Sequence, residues 1–542
     1  MRLSSFLLIL ARFLLPPALI GTVYLYLYPI IHQCSFPPAR RAEAACYFGD
    51  TPRPAVPSSP APFRLLALAD PQLEGDTSLP EELRGGDGWL KGTRDGFWNG
   101  VHGGGREKAF DGVRPAVHGF MTEDIPRLFA GYRKKLDLWG NDLYLAHIYW
   151  LMHWWSAPTH TVVLGDLLGS QWIDDDEFAR RSRRFWGKVF KGGEKVPREV
   201  TDVSGRTEML GQDANWQRRL IAVAGNHDIG YAGDIDGRRI ERFEEQYGRV
   251  NWDVRFRLND TAATATRHAS ALPFAPSSSL LQHPPELRLV ILNSMNLDQP
   301  AWDQNLHHQS RDFLIESLHS PAATASNSDS QATILLTHIP LHKEKGVCVD
   351  APYFAYFHGG GIQEQNHLSK DVSEYTLDGL LRSSGTNAVV LNGHDHEGCD
   401  TYHYHPAPHS SDTEKETAEE DKGWQAEKWR LSPPHRSDRH FKGLREITVR
   451  SMMGSYDGNA GLLSAWYEHA DENDSSSQGT WRFEYDTCAL GVQHIWWAVH
   501  VLDLVVILLG LSGVVRAFWE AFSELREEKR LASETRGKRK RG

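Results

Sequence analysis

The chain has 542 residues, of which 40% are hydrophobic and 24% charged, a globular composition with room for more than one ordinary domain. Its formal charge is −11, and the last 27 residues, 516–542, carry nine Lys/Arg against five Asp/Glu, so the rest is more acidic still. That balance excludes a nucleic-acid partner, because gripping a phosphate backbone needs a basic surface.

Residues 1–12 read as a short cytosolic N-terminus. Phe13 to Ile31 is an apolar stretch of 19 residues, long enough to span a bilayer, and Pro16 and Pro17 are tolerable in a membrane helix. Ala42-Glu43-Ala44 resembles a signal-peptide cleavage site. It lies far beyond the apolar run, which is itself long for a signal peptide, so an uncleaved anchor is expected. Residues 32–62 form a linker, rich in Pro, Ala and Ser from Ala45 onward.

Arg64 to Ala69 is the first predicted strand, ending in Asp70-Pro71-Gln72. Residues 74–120 are Gly-rich and read as an irregular insertion. Leu136 to Trp155 is an aromatic-rich amphipathic helix whose rings suit core or membrane-facing packing. His160 to Leu164 is the second strand and ends in Gly165-Asp166. The acidic run Asp174 to Glu177 looks like a metal cluster, but it opens a helix that turns basic at Arg180, Arg181, Arg183 and Arg184, which suits the helix dipole.

Leu220 to Ala224 is the third strand, followed by Gly225-Asn226-His227-Asp228. Leu287 to Leu292 is the fourth and ends at Asn293-Ser294. Ala332 to Thr337 is the fifth and ends at His338. Asn387 to Leu391 is the sixth and ends in Gly393-His394-Asp395-His396. Glu364, Gln365, Asn366 and His367 follow the fifth strand, either lining a cleft or forming a polar surface loop. Residues 406–440 are polar and of mixed charge, expected to be a disordered insertion, and Glu446 to Arg450 resumes a strand. Asn259 and Asn473 head glycosylation sequons, usable only in a lumen.

Ile495 to Val515 is a second apolar span of 21 residues, with Trp496 and Trp497 at its edge. Asp503 inside it, one turn from His500, is costly in lipid and suggests a helix partner or a snorkelling side chain. The basic tail 516–542 places itself in the cytosol and the body, residues 63–490, on the luminal side. Of the five cysteines, Cys34 lies beside the first span. Cys46 and Cys488 lie just inside the two ends of the body and offer a staple. Cys348 and Cys399 each follow a strand-end histidine, and sequence leaves the pairing open.

Asp70, Asp166, Asn226, His338, His394 and His396 all sit at the ends of short apolar strands, where α/β sheets bind ligands. The set holds only oxygen and nitrogen donors, which suits Mn, Fe or Zn. With two aspartates for two metals, one bridging carboxylate is the economical solution, and Asp166 is the natural choice. Paired cations about 3.5–4 Å apart polarise a phosphoryl group and activate water. His227, beside Asn226, is placed to protonate the leaving oxygen, with Asp228 to orient its ring.

In order and content these blocks resemble the calcineurin-like metallophosphoesterase superfamily across roughly residues 63–465. The resemblance implies a four-layer α/β/β/α sandwich flanked by two transmembrane helices. It assigns Asp70, Asp166 and His396 to one divalent metal, and Asp166, Asn226, His338 and His394 to the other. Gln72 stands where the superfamily usually has His, so the first metal is expected to bind more loosely or to take an extra water.

The segments Val163 to Trp172, Gly225 to Gly230 and Thr337 to Leu341, with the double-anchored layout, resemble a membrane branch of the endoplasmic reticulum. That branch removes ethanolamine phosphate from mannoses of glycosylphosphatidylinositol (GPI) anchors, usually with Mn, and so licenses export of GPI-anchored cargo. The likeness implies a GPI-glycan substrate, a bilayer, and cargo-receptor or coat partners for the spans and tail. It also implies residence in the reticulum with cycling to the Golgi, for which Lys538 and Lys540 resemble a dilysine signal. The competing readings are another phosphoester substrate, or a trafficking adaptor whose site has decayed.

Overall fold

The computed structural model describes residues 2–34, 36, 60–75, 90–101, 109–258, 284–319, 330–406, 423–438, 440–468 and 479–539. They form two compact units, Met1–Cys34 with Leu490–Gly542, and Ser35–Ala489.

The larger unit contains sixteen described strands. In chain order they are β1 Phe63–Leu68, β2 His160–Leu164, β3 Glu194–Lys195, β4 Arg206–Met209, β5 Arg219–Val223, β6 Trp252–Arg257, β7 Glu286–Ile291 and β8 Gln331–Leu336. Then follow β9 Phe354–Tyr356, β10 Ile362–Gln365, β11 Ala388–Asn392, β12 Cys399–Pro406, β13 Gln425–Lys428, β14 Phe441–Thr448, β15 Asn459–Glu468 and β16 Thr480–Ala489.

One sheet runs β16-β15-β1-β2-β5-β3 and a second runs β13-β12-β14-β11-β8-β7-β6-β4, while β9 and β10 make a separate hairpin. β1, β2 and β5 are parallel, as are β7, β8, β11 and β14. Of these, β2, β8 and β11 are buried almost throughout, the pattern of parallel strands covered on both sides. The two sheets face each other across one core: Leu65, Ala67, Val162 and Val223 from the first meet Val254, Leu289, Ile334 and Val389 from the second. The helix Ile125–Ser156 packs on β1 and β15, and Lys370–Ser384 packs on β8, β11 and β14. The layers are therefore α/β/β/α.

Two expected irregular insertions are in part ordered. Within 74–120 the chain forms the helices Lys91–Val101 and Ala109–Gly119. Within 406–440 it forms β13 and the short helix Pro433–Ser437. Glycine there serves close packing as well as looseness: a Cβ on Gly119 would lie 2.2 Å from the Gly92 carbonyl oxygen. The aromatic helix is longer than expected, beginning at Ile125 and not Leu136. Asp174 caps Asp175–Arg184 by accepting from the Glu177 amide (2.7 Å), so the acidic run is a helix start.

The smaller unit pairs Leu3–Tyr26 with Gln493–Arg539, both long and apolar enough to cross a membrane. The first helix starts at Leu3, ten residues before the expected boundary, and the second runs on through the basic tail as far as Arg539. They are antiparallel neighbours: Gly21 faces Val499, and Gly513 faces Leu8. Small residues of this kind let membrane helices approach closely. Asp503 accepts a hydrogen bond from Thr22 Oγ1 (2.8 Å), so it has a partner on the neighbouring helix.

Candidate metal centre

Five motif turns leave the C-terminal ends of β1, β2, β5, β8 and β11. Two carboxylates take left-handed backbone there, Asp70 at φ 50° and Asp166 at φ 49°. Gly165 precedes Asp166 at φ 87°, and a Cβ on it would lie 2.2 Å from His338 Nδ1. A side chain at Gly225 would lie 2.2 Å from the Asp166 amide. The Gly-Asp and Gly-Asn-His-Asp patterns are thus demands of space: the loops that carry the polar groups touch.

Those turns bring all six strand-end donors together. Asp166, His338 and His394 form one group, and Asp70, Asp166 and His396 form another, with the donor atoms of each within 4.8 Å of one another. Asp166 belongs to both. His338 Nε2 lies 3.4 Å from Asp166 Oδ1, and Asn226 Oδ1 lies 3.0 Å from both His338 Nε2 and His394 Nδ1. Asp70 and Asp166 are buried, while His396 is exposed.

The residues suit a cation for a specific reason. His338 Nδ1 lies 2.7 Å from the Leu164 carbonyl, and His394 Nε2 lies 2.9 Å from the Gln365 carbonyl. Each ring must donate there, which leaves His338 Nε2 and His394 Nδ1 as lone-pair nitrogens. They are 3.3 Å apart and share Asn226 Oδ1. Three acceptors converge with no proton between them, an arrangement that a cation resolves.

The charges agree. Burial, then neighbouring Asp166, pushes the Asp70 carboxyl well above its ordinary range. Burial also acts to raise Asp166, but His338, His227 and His394 outweigh it and hold it low. Burial, then His338, lowers His394 to about 3, and burial lowers His338 as well, the direction that favours ligation through an unprotonated nitrogen.

Gln72 enters the second group. Its Nε2 lies 3.1 Å from Asp166 Oδ2 and 3.1 Å from His396 Nε2. His227 sits at the edge, partly exposed, with Nε2 3.7 Å from Asp166 Oδ2 and its backbone amide donating to Asp166 Oδ1 (2.8 Å). Its Nδ1 is buried and has no hydrogen-bond partner among the described residues.

Asp228 does not orient that ring. Its carboxylate accepts from the amides of Gly225 (2.9 Å), Leu168 (3.0 Å) and Leu167 (3.1 Å), and it is fully buried. It braces the Asp166 turn against the Asn226 turn. Burial, then Asp166, raises its carboxyl to about 8.

Of the segment 364–367, Gln365 and His367 are buried and Glu364 is exposed. Gln365 acts behind the site, since its carbonyl holds His394 and its amide donates to Asp298 Oδ2 (2.9 Å). Ser294 Oγ accepts from the amides of His338 (3.3 Å) and Ile339 (3.0 Å), setting that turn. Cys348 and Cys399 form a disulfide linking the segments that follow His338 and His396. Cys488 is also disulfide-bonded; Cys46, Asn259 and Asn473 lie outside the described residues.

No family model matches the chain. Three known proteins are similar to it. Protein TED1 of Saccharomyces cerevisiae is 29% identical over 430 residues, covering 69% of this chain and 77% of TED1. Uncharacterized protein C23A1.02c of Schizosaccharomyces pombe is 28% identical over 370 residues, covering 66% of this chain and 67% of its own length. The Metallophosphoesterase 1 homolog of Caenorhabditis elegans is 22% identical over 293 residues, covering 52% of this chain and 61% of its own.

Proposed function

We propose that this chain, whose motifs and site resemble the calcineurin-like metallophosphoesterases, is a two-metal phosphodiesterase. Its substrate on this reading is an ethanolamine phosphate carried on a mannose of a GPI anchor. The observation that carries the metal assignment is Asp166, the one carboxylate that belongs to both donor groups.

Two divalent cations bound there, Mn on this reading, would polarise the phosphoryl oxygens and activate water. Asp166 would be shared by the two ions, Asp70 and His396 would help hold one, and Asn226, His338 and His394 would help hold the other. The Leu164 and Gln365 carbonyls fix the two imidazoles so that their free nitrogens point inward. Water adds to phosphorus, the bond from phosphorus to the mannose oxygen breaks, and His227 returns a proton to that oxygen. The products are ethanolamine phosphate and a free mannose hydroxyl. The Asp166 contact to its backbone holds His227 at the rim, where a leaving group emerges.

The substrate assignment is supported by the likeness of Val163 to Trp172, Gly225 to Gly230 and Thr337 to Leu341 to the GPI-remodelling branch, and by two helices able to span a membrane. With the basic tail cytosolic, the body is luminal in the endoplasmic reticulum, and its action there precedes export of GPI-anchored cargo. Mass analysis of GPI glycans from cells lacking this chain tests the reading. Retained ethanolamine phosphate on one mannose is the expected result, and an unchanged pattern overturns it.

One observation favours a second reading. Gln72 places an amide where the second group could take another ligand, so a weakened site and an adaptor role follow if that metal is lost. Turnover of an aryl phosphodiester by the purified chain with Mn separates the two: hydrolysis that His227→Ala abolishes excludes the adaptor.

A further inference from the structure

From Ala109 to Ser156 the backbone is helical, with a single π turn at Phe120–Asp124. The C-terminal half buries one face, including Tyr144, Ile148 and Met152, and packs on β1 and β15. The N-terminal half carries a different apolar face. Val113, Val117, Met121, Phe129, Tyr132 and Leu136 recur at three- or four-residue steps within each segment, and all are exposed, Phe129 by 71% and Tyr132 by 60%. A helix with apolar side chains on more than one side calls for cover on more than one side.

The face belongs to a built hairpin. Asp124 accepts from the amides of Gly92 (2.8 Å) and Thr93 (2.7 Å), satisfying the start of Lys91–Val101. Gly92 and Gly119 let the two helices touch. The apolar stripe is thus held on a defined platform.

We propose that this platform rests on a lipid bilayer, with the stripe in the interfacial region and its basic residues among the headgroups. Two observations select lipid as the occupant. β16 ends at Ala489, and a long apolar helix able to span a membrane begins at Gln493, with three residues between them in the sequence. Residues 113–139 also carry five Lys/Arg against three Asp/Glu in a chain of net charge −11. Arg133 stands beside Tyr132 with its side chain 84% exposed. An apolar face edged by long cations is the pattern of an interfacial helix, the cations reaching headgroup phosphates while their stems stay with the acyl chains.

The test uses the full chain in nanodiscs of phosphatidylcholine and phosphatidylserine. Single cysteines replace Val117, Phe129, Leu136 and, as a control, Arg238, whose side chain is 63% exposed. Each carries an environment-sensitive NBD label, with the unsubstituted chain as the labelling blank. The labels at 117, 129 and 136 are expected to emit at shorter wavelength, to be quenched by doxyl-labelled lipid and to resist aqueous iodide. The label at 238 is expected to do the reverse. Iodide quenching at the three positions equal to that at 238 would overturn the proposal. So would protection from both quenchers, which means that a second copy or another protein covers the face. Should one variant fail to assemble, Met121→Cys reads the same stripe. None of these readouts depends on whether the chain hydrolyses anything.

Discussion

Glu446 and Lys343 form an ion pair at 2.7 Å with neither side chain more than 1% exposed. Glu446 also accepts from the Leu341 amide (2.7 Å), Asn392 Nδ2 (2.7 Å) and His403 Nε2 (2.6 Å). Leu341 lies three residues after His338, and Asn392 lies two before His394. One buried carboxylate therefore ties together the loops that present two histidines to the candidate metal centre. Removing one partner of such a pair leaves an unpaired buried charge, at a cost of about 3–5 kcal/mol. Lys343→Met is expected to lose that much stability in denaturant unfolding and to weaken metal binding with it. A loss below about 1 kcal/mol would show that the pair is not what holds these loops.

His160 gives a pH dependence away from the metals. It is buried against Phe63, Phe256 and Trp216, and burial, then Arg219 and Arg64, lowers its imidazole to about 3. The folded chain keeps it neutral, while the unfolded chain protonates it below about pH 6.5. The stability this contributes is complete above pH 6.5 and falls as the pH drops toward 3, by about 1.4 kcal/mol per pH unit. His160→Phe should flatten the stability profile across that window and change little at pH 8. An unchanged slope between pH 6 and 4 would contradict the burial argument.

Asp228 and His227 are adjacent in sequence but should behave as opposites. Asp228→Ala removes the acceptor of three buried amides and is expected to cost at least about 3 kcal/mol. It should also loosen both metal turns, reducing the metal content. His227→Ala should leave unfolding and metal content near those of the parent chain and lower kcat by about 10²–10⁴-fold. Calorimetry, metal analysis and turnover of an aryl phosphodiester separate the two. Equal effects of both variants on stability would show that His227 has a structural task.

Gln72→His offers a better donor at a position already within 3.1 Å of both Asp166 and His396. The variant is expected to hold the more weakly bound ion through dialysis that strips it from the parent. Titration with Mn after chelation measures the change directly. No gain in affinity would mean that Gln72 already ligates through its own oxygen, or that the position faces away from the ion.

The strand ends were legible in the sequence because buried parallel strands are short unbroken apolar runs, and each run here stops at a Gly, Asp, Asn or His. Leu65 to Ala69, Val162 to Leu164 and Val389 to Leu391 show this plainly. The hairpin at 91–119 was hidden because Gly92 and Gly119 look like loop residues, and their role in letting two helices touch exists only once the helices pair. Glu446 gave no signal, since a single Glu within a strand usually faces solvent. Asp228 looked like an orienting group because the residue beside it is His227. Its carboxylate turns instead to the backbone amides of its own turn and its neighbour's, a choice that depends on contacts across 60 residues.

Metal content per chain tests the central claim most directly. The full-length protein, loaded with Mn, desalted and analysed by inductively coupled plasma mass spectrometry beside Asp166→Asn, should carry two ions. The variant should retain neither tightly, because Asp166 is shared by both donor groups. One ion per chain in the parent, or two in Asp166→Asn, would contradict the bridged two-metal site.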